Sequence, residues 1–387
     1  MKSAATTPGN SPANGPLAAD HAGAERAAEL LSAGKLVVLP TETIYGIALN
    51  LLSPDARATA HELRSAGNPG GLKPHWVLHV ATAEEALGWV PHVSNVGRRL
   101  IAKGLPGPIS FQVKLTAEDA AAAAGRLGEA APQVLVDGFL TLRCPDFAVT
   151  QDVLASAKVP VAIVGAGKSG GGPGVFEASD LPASVASHVA GTVDGGPTRY
   201  RKSSTLVQVD GGGSGTFSVV RPGVIDERII QRMADFTILF VCSGNTCRSP
   251  MAAALASRIL ADRLRVRPEE LPLRHVVVQS AGVHAVRGMR AAEEAFETVQ
   301  EYKADLSGHF SQPTTPDVLR RADVIYTMTG AHRDELLRMY PGGRSKIQRL
   351  DPGDDVPDPI GAGLSAYQAV AARLWELLEE RLGELPL

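Results

Sequence analysis

A chain of 387 residues is long enough for two or three domains, each burying its own core. Apolar residues make up 44% and charged residues 20%, the profile of a soluble globular protein, and a net charge of −3 exerts no global pull toward nucleic acid or an anionic membrane. No run of about 18 apolar residues marks a membrane span, and Cys144, Cys242 and Cys247 are too few for a disulfide framework, so the expected setting is a reducing cytoplasm.

The opening "MKSAATTPGNSPANGPLAAD" is small, polar and rich in Pro and Gly, and predicts a disordered tail over 1–20 without the apolar stretch of a signal peptide. "AGAERAAELLSAG" has helical spacing up to Gly34, and "KLVVLP" predicts a short strand closed by Pro40. Mixed strand and helix signals continue to "TLVQVD" and "VVRPGVI", with the glycine-rich "DGGGSG" as a turn between them. A new alternation starts at "FTILFVC" and runs through "RHVVVQSAG", "ADVIYTM" and "SKIQRLD"; four short apolar runs with helices between them predict a parallel sheet in an α/β layer fold. The last helix carries Leu364, Tyr367, Val370, Ala371, Leu374, Leu377 and Leu378 on one stripe. The spacing places a domain boundary near Met233 to Asp235, with no internal repeat.

The stretch "FVCSGNTCRSPMA" lies between a predicted strand (236–241) and a predicted helix beginning "SPMAAALASRIL", with Ser249 suited to the N-cap and Pro250 to the first helical position. A strand-to-helix loop presents free N–H groups and a helix dipole to an anion. Gly244 is suited to positive φ, Asn245 to holding the loop through its side chain, and Arg248 to gripping two phosphate oxygens. The same field favours a thiolate at Cys242, so the loop predicts nucleophilic attack on phosphorus through a phosphocysteine. Cys-x4-Cys without further Cys or His pairs argues against zinc, and a redox pair is normally spaced by two residues. Cys144 reads as an inert buried thiol. No metal is called for.

"VCSGNTCRSPMA" resembles the low-molecular-weight protein tyrosine phosphatases, whose signature is Cys-x5-Arg-Ser after the first strand; the layout of 236–387 follows that family. The resemblance implies Cys242 as nucleophile, Arg248 as phosphate clamp, Gly244, Asn245 and Ser249 as loop support, and Cys247 as a redox partner able to protect the nucleophile. Ala253 departs from a frequent glutamate. "DPGDDVPDPIG" offers Asp351, Asp354, Asp355 and Asp358; the match to the family's acid loop falls on Asp358-Pro359 and implies Asp358 as general acid and then base. Asp351, Asp354 and Asp355 read as solvated surface. Thr246, the absence of aromatics at Ile360-Gly361, "SAGVHA" (280–285) and "MTGAHRDELL" (328–337) resemble the protein-arginine phosphatase branch, with Thr246 as a specificity residue; phosphotyrosine and phosphoarginine both stay open. The implied substrate is a phosphoprotein, and the implied activity needs no cofactor.

"VVLPTETIYGIAL" (37–49), with "LPGPISF", "LRCPD", "KSSTLVQV" and "VVRPGVI" following in order, resembles the YrdC-like threonylcarbamoyl-adenylate synthases of transfer RNA modification. This implies a twisted mixed-sheet α/β domain with ATP as a candidate ligand and Thr41, Glu42, Thr43 and Tyr45 as ligand-binding residues. Two family signatures are missing: "RSAGNPGGLKP" has Ala66, Gly67, Asn68 and Pro69 where Lys-x-Arg-Pro is expected, and "IVGAGKSGGGPG" puts Gly165 and Gly167 in place of Ser-x-Asn. Arg64, Lys73 and Lys168 are nearby cations that could compensate. An active synthase, a nucleotide- or RNA-binding module and a structural remnant all stay open, with loss of synthase activity favoured. The expected organisation is a tail (1–20), a YrdC-like domain (21–232) and a phosphatase domain (236–387).

Overall fold

The computed structural model describes residues 16–65, 75–167, 174–212 and 215–387. The chain divides into two units, Met1–Ala234 and Asp235–Leu387. Among the described residues, no helix is long and apolar enough to cross a membrane.

Among the described residues, the first unit is built on an eleven-stranded mixed sheet. Its strands are β1 (Pro16–Ala18), β2 (Val37–Leu39), β3 (Gly46–Asn50), β4 (Leu78–His79), β5 (Ile109–Lys114), β6 (Leu135–Val136), β7 (Phe139–Arg143), β8 (Val161–Gly165), β9 (Gly191–Asp194), β10 (Thr205–Val209) and β11 (Phe217–Arg221). They lie in the order β1-β9-β2-β3-β8-β4-β7-β5-β10-β11, with β6 beside β7. The central strands are buried along nearly their whole length, which explains why "VVL" and "GIALN" read as continuous apolar runs rather than alternations. Trp76, Tyr45 and Phe111 are fully buried. β10 and β11 pair antiparallel around the predicted glycine-rich turn, of which Gly213 and Ser214 lie outside the described residues.

The expected tail is too long at its C-terminal end. Pro16–Ala18 pairs in parallel with β9, and the Asp20 carboxylate accepts from the Gly23 N–H at 2.9 Å to cap the helix His21–Ser32. Pro16 is tolerated because it opens an edge strand, so composition alone overstates the disorder.

The second unit has four parallel strands, β12 (Phe236–Cys242), β13 (Val276–Gly282), β14 (Val324–Thr327) and β15 (Ile347–Arg349), in the order β13-β12-β14-β15. Both faces of β12 are covered. Phe236, Ile238 and Phe240 share a core with the helices Arg248–Leu264 and Leu364–Gly383, while Leu239 and Val241 pack with Leu319, Ile325 and Leu336. Each such side chain contributes about 1.5–3 kcal/mol by leaving water. The stripe on the last helix buries Tyr367, Val370, Ala371, Leu374, Leu377 and Leu378, joined by Leu382. Because β12 is flanked by the next two strands of the chain, its carboxyl end lies where the strand order reverses, the place where open parallel sheets form a crevice. Cys242 is the last residue of β12.

Candidate active site

The loop leaving β12 folds around the Cys242 sulfur. Ser249 Oγ lies 2.9 Å from Cys242 Sγ and accepts from Asn245 Nδ2 at 3.0 Å; its single proton can go to the sulfur or to the Ala281 carbonyl at 3.2 Å, and a thiolate is the stronger acceptor. The Asn245 N–H donates to the same sulfur at 3.3 Å. All three cysteines are free thiols, and Cys242 and Cys247 are buried. The Cys247 sulfur lies 3.2 Å from Tyr367 Oη, and burial raises the Tyr367 pKa.

Two local expectations are corrected. The left-handed residue of the loop is Asn245, at φ 58°, and Gly244 is simply an exposed loop residue. Asparagine tolerates this conformation because its short amide can bond locally, and here every polar group of Asn245 is used. Nδ2 also donates to Ser280 Oγ at 2.8 Å, Oδ1 accepts from the Gln312 N–H at 2.9 Å, and the carbonyl accepts from His309 Nε2 at 2.8 Å. The helix begins at Arg248 with Cys247 at the cap position, so Ser249 and Pro250 lie inside its first turn. Ser249 is drawn off capping because its hydroxyl serves the sulfur and Asn245.

Arg248 is buried, and its guanidinium donates to the Val356 carbonyl at 3.2 Å and to the Asp358 carboxylate. Asp358 is 45% exposed. The other three acids are more than solvated surface. Asp351 holds Arg373 at 2.7 Å and accepts from the Gly353 and Asp354 N–H groups at 2.9 and 3.2 Å; the Arg373 contact first, and these N–H groups after it, pull its carboxyl below the usual carboxylate range. Asp354 accepts from the Asp355 N–H at 2.7 Å, and Asp355 accepts from the Gly330 N–H at 2.7 Å. They shape the loop that carries Asp358. Thr246 is half-buried, with Oγ1 3.6 Å from the Cys247 sulfur.

Several supporting residues escape motif reading. Ser280, His309 and Gln312 anchor Asn245 from elsewhere in the chain, and His332 Nε2 lies 2.8 Å from Ser243 Oγ. Burial and the nearby Arg248 charge lower the His332 pKa. Gly282 is required by close approach: a Cβ there would meet the Ser243 carbonyl oxygen at 2.4 Å and the Asn245 nitrogen at 2.9 Å. Ser280, Gly282 and His332 fall in stretches quoted above, yet nothing in their spacing assigns these contacts.

The first unit holds a cavity of about 210 Å³ lined by Thr41, Thr43, Arg64, Arg143, Arg221 and the neighbouring serines and histidines. Of the residues expected to bind ligand here, Thr41 and Thr43 line it and Glu42 and Tyr45 do not. Glu42 is fully buried, paired with Arg143 at 2.8 Å and accepting from the Asp146 N–H at 3.0 Å. Tyr45 donates to the Gly196 carbonyl at 2.7 Å, and burial pushes its hydroxyl up to about 12. Both are framework residues because a buried carboxylate and phenol each need a fixed partner. Cys144 is buried, with its pKa pushed up to about 12, as suits an inert thiol.

Sequence reasoning missed Arg143, Arg221, His75, His79, Ser110 and Ser204 around this cavity; they come from separate strands and loops, with no common motif. Among the described residues, the buried Nε of Arg143 has no hydrogen-bond partner. His79 Nδ1 lies 3.1 Å from the Ile163 N–H and 3.0 Å from the Val77 carbonyl, so it accepts from the first or donates to the second according to its tautomer. Arg64 lines the cavity, as does Gly165, whereas Ala66, Gly67, Asn68, Pro69, Lys73 and Lys168 lie outside the described residues.

The model described as low molecular weight phosphotyrosine protein phosphatase matches residues 237–386, and the Sua5/YciO/YrdC model, described as telomere recombination, matches residues 29–223. A protein-arginine-phosphatase of Bacillus subtilis is 36% identical over 153 residues, covering 38% of this chain and 95% of its own length. The low molecular weight protein-tyrosine-phosphatase PtpB of Staphylococcus epidermidis is 31% identical over 147 residues, covering 37% of this chain and 94% of its own. The low molecular weight protein-tyrosine-phosphatase Wzb of Escherichia coli is 32% identical over 147 residues, covering 36% and 91%.

Proposed function

The chain belongs to the low molecular weight phosphotyrosine protein phosphatase family through residues 237–386 and to the Sua5/YciO/YrdC family through residues 29–223, and from that premise we propose that it dephosphorylates phosphoproteins through a phosphocysteine on Cys242, with phosphoarginine preferred. The observation that carries the mechanism is the convergence on one sulfur of Ser249 Oγ and the Asn245 N–H, beside the Arg248–Asp358 pair.

In the first step the Cys242 thiolate attacks phosphorus, the S–P bond forms and the bond to the leaving oxygen or nitrogen breaks. Asp358 delivers the proton that the leaving group needs. Arg248 exchanges its contacts with Val356 and Asp358 for phosphoryl oxygens, and the loop N–H groups and helix N-terminus receive the remaining charge. In the second step Asp358 takes a proton from water, the water oxygen attacks phosphorus, and the S–P bond breaks to release phosphate and the thiolate. Neither step calls for a metal or a cofactor.

The phosphoarginine preference rests on Thr246 within the sulfur loop and on Ile360, 69% exposed where an aromatic would stack on a phenol. Turnover of phosphoarginine and phosphotyrosine proteins by the full chain, with Cys242→Ser as control, tests it. Faster Cys242-dependent turnover of phosphoarginine supports the preference, and the reverse order overturns it while leaving the mechanism intact.

The first unit is proposed as an anion-binding module that has lost adenylate synthesis. The unpartnered Arg143 Nε in a cavity with three arginines supports ligand binding, and glycines at 165 and 167 supply no side chain to a phosphate. Pyrophosphate release from ATP, threonine and bicarbonate by the full chain would overturn that reading.

A further inference from the structure

A second cluster of cations lies in the C-terminal unit, outside the Cys242 loop. Arg333, Arg344, Arg349 and Arg381 line one pocket of about 350 Å³ with Gln348 and Pro352, and no carboxylate is among its lining residues. They arrive from separate elements: Arg333 from the helix Gly330–Met339, Arg349 from β15, Arg381 from the last helix and Arg344 from the segment before β15.

Three of the four have an acidic neighbour. Arg349 Nη1 is 3.4 Å from Asp355 and its Nη2 donates to the Pro352 carbonyl; Arg381 donates to Glu384 at 3.0 Å and to Gln348 Oε1 at 2.6 Å; Arg333 Nε is 3.6 Å from Asp334, beyond hydrogen-bond reach. Among the described residues Arg344 has no hydrogen bond or ion pair, and the buried Nε atoms of Arg333 and Arg381 have no hydrogen-bond partner.

Four guanidinium groups around one space repel one another, and a buried N–H left unmet costs about 1–3 kcal/mol. A neutral acceptor such as water can meet an N–H but leaves the mutual repulsion in place. An anion with several oxygens meets both, because guanidinium forks match phosphoryl oxygens two at a time. We propose that this pocket is a second anion site, separate from the catalytic loop, that takes a compact polyvalent phosphate: free pyrophosphate or the phosphate chain of a nucleotide.

Calorimetric titration of the full chain with pyrophosphate in low-chloride buffer tests the site directly, without reference to turnover. Arg248→Ala removes the clamp of the catalytic loop, and Arg333→Gln with Arg344→Gln removes two cations from the pocket. The expected result is a saturable component that survives Arg248→Ala and weakens at least about tenfold in the double variant. If the double variant does not fold, Arg344→Gln alone, at an exposed position, carries the same expectation with a smaller change. Identical titrations of wild type and pocket variants overturn the proposal, as does no saturable heat up to about 5 mM pyrophosphate. A parallel titration with ATP distinguishes the sources: tighter variant-sensitive binding of ATP assigns a nucleotide, and equal or weaker binding assigns the free phosphate.

Discussion

The loop around Cys242 and the cavity of the first unit both gather cations and hydroxyls, but by different routes. The loop draws its proposed nucleophile, its left-handed asparagine, its proposed clamp and its supporting hydroxyl from eight consecutive residues, 242–249. The cavity assembles Thr41, Arg64, Arg143, Ser204 and Arg221 from across most of a unit. A site encoded in one loop can be recognised by spacing, because strand end and helix start fix where each side chain goes. A dispersed site becomes visible only when the sheet brings its strands together. The difference also has an energetic side. Arg248 holds a partly exposed carboxylate, whereas Arg143 is locked to a fully buried one.

The sharpest way to break this comparison is to remove the chemistry of the loop. Cys242→Ser is expected to abolish turnover of phosphoprotein, and Arg248→Ala to lower kcat/KM by at least about a thousandfold, in line with the loss of a main transition-state charge contact. Asp358→Asn should lower kcat by about a hundredfold or more, with the greatest loss for the poorest leaving groups. Wild-type rates should be the same with and without EDTA. A Cys242→Ser protein with full activity would leave the whole mechanism without a nucleophile.

The converse change is made in the first unit. Arg143→Met leaves Glu42 buried and uncompensated, at an expected cost of about 3–5 kcal/mol to that unit. Hydrogen exchange read separately in the two units should show faster exchange in β3, β7 and β8 and no change around β12, with phosphatase kcat unaltered. Loss of protection confined to the second unit would contradict the placement of that pair. Gly282→Ala is a smaller intervention at the catalytic loop. The added methyl must push Ser243 and Asn245, so kcat is expected to fall about tenfold by displacement of the loop.

What could be read from the sequence follows the same division. The parallel sheet was legible because four apolar runs alternate with helical segments. Cys242, Arg248 and Asp358 were picked out by one signature and one Asp-Pro pair; the structure pairs Arg248 with Asp358 and sets Ser249, next to Arg248, against the Cys242 sulfur. The carrier of positive φ was misread, since Gly244 and Asn245 are both suited to it and only the contacts of Asn245 decide between them. Glu42 and Tyr45 look like ligand groups in "TETIY" because nothing local reveals that Arg143 and Gly196, more than a hundred residues away, claim them. Edge pairing of Pro16–Ala18 was likewise invisible, as its partner β9 lies far along the chain.

The smallest expected effect concerns a buried histidine of the first unit. Burial, helped by the Arg143 charge, lowers the His79 pKa from an ordinary 6.5 to about 3. The folded first unit therefore excludes a proton that its unfolded chain accepts below pH 6.5. The stability that follows is fully present above pH 6.5 and is lost as pH falls toward 3, at about 1.4 kcal/mol per pH unit, or about 2 kcal/mol by pH 5. His75 is shifted the same way by burial and Arg64 and adds to the slope. His79→Asn keeps an acceptor for the Ile163 N–H and removes the titration. Its hydrogen-exchange protection in β4 and β8 should fall less between pH 7 and pH 5 than that of wild type, once the intrinsic pH dependence of exchange is divided out. Equal losses in the two proteins would mean that His79 takes up its proton without opening the sheet. The second unit supplies the internal reference, because His79 packs within the first.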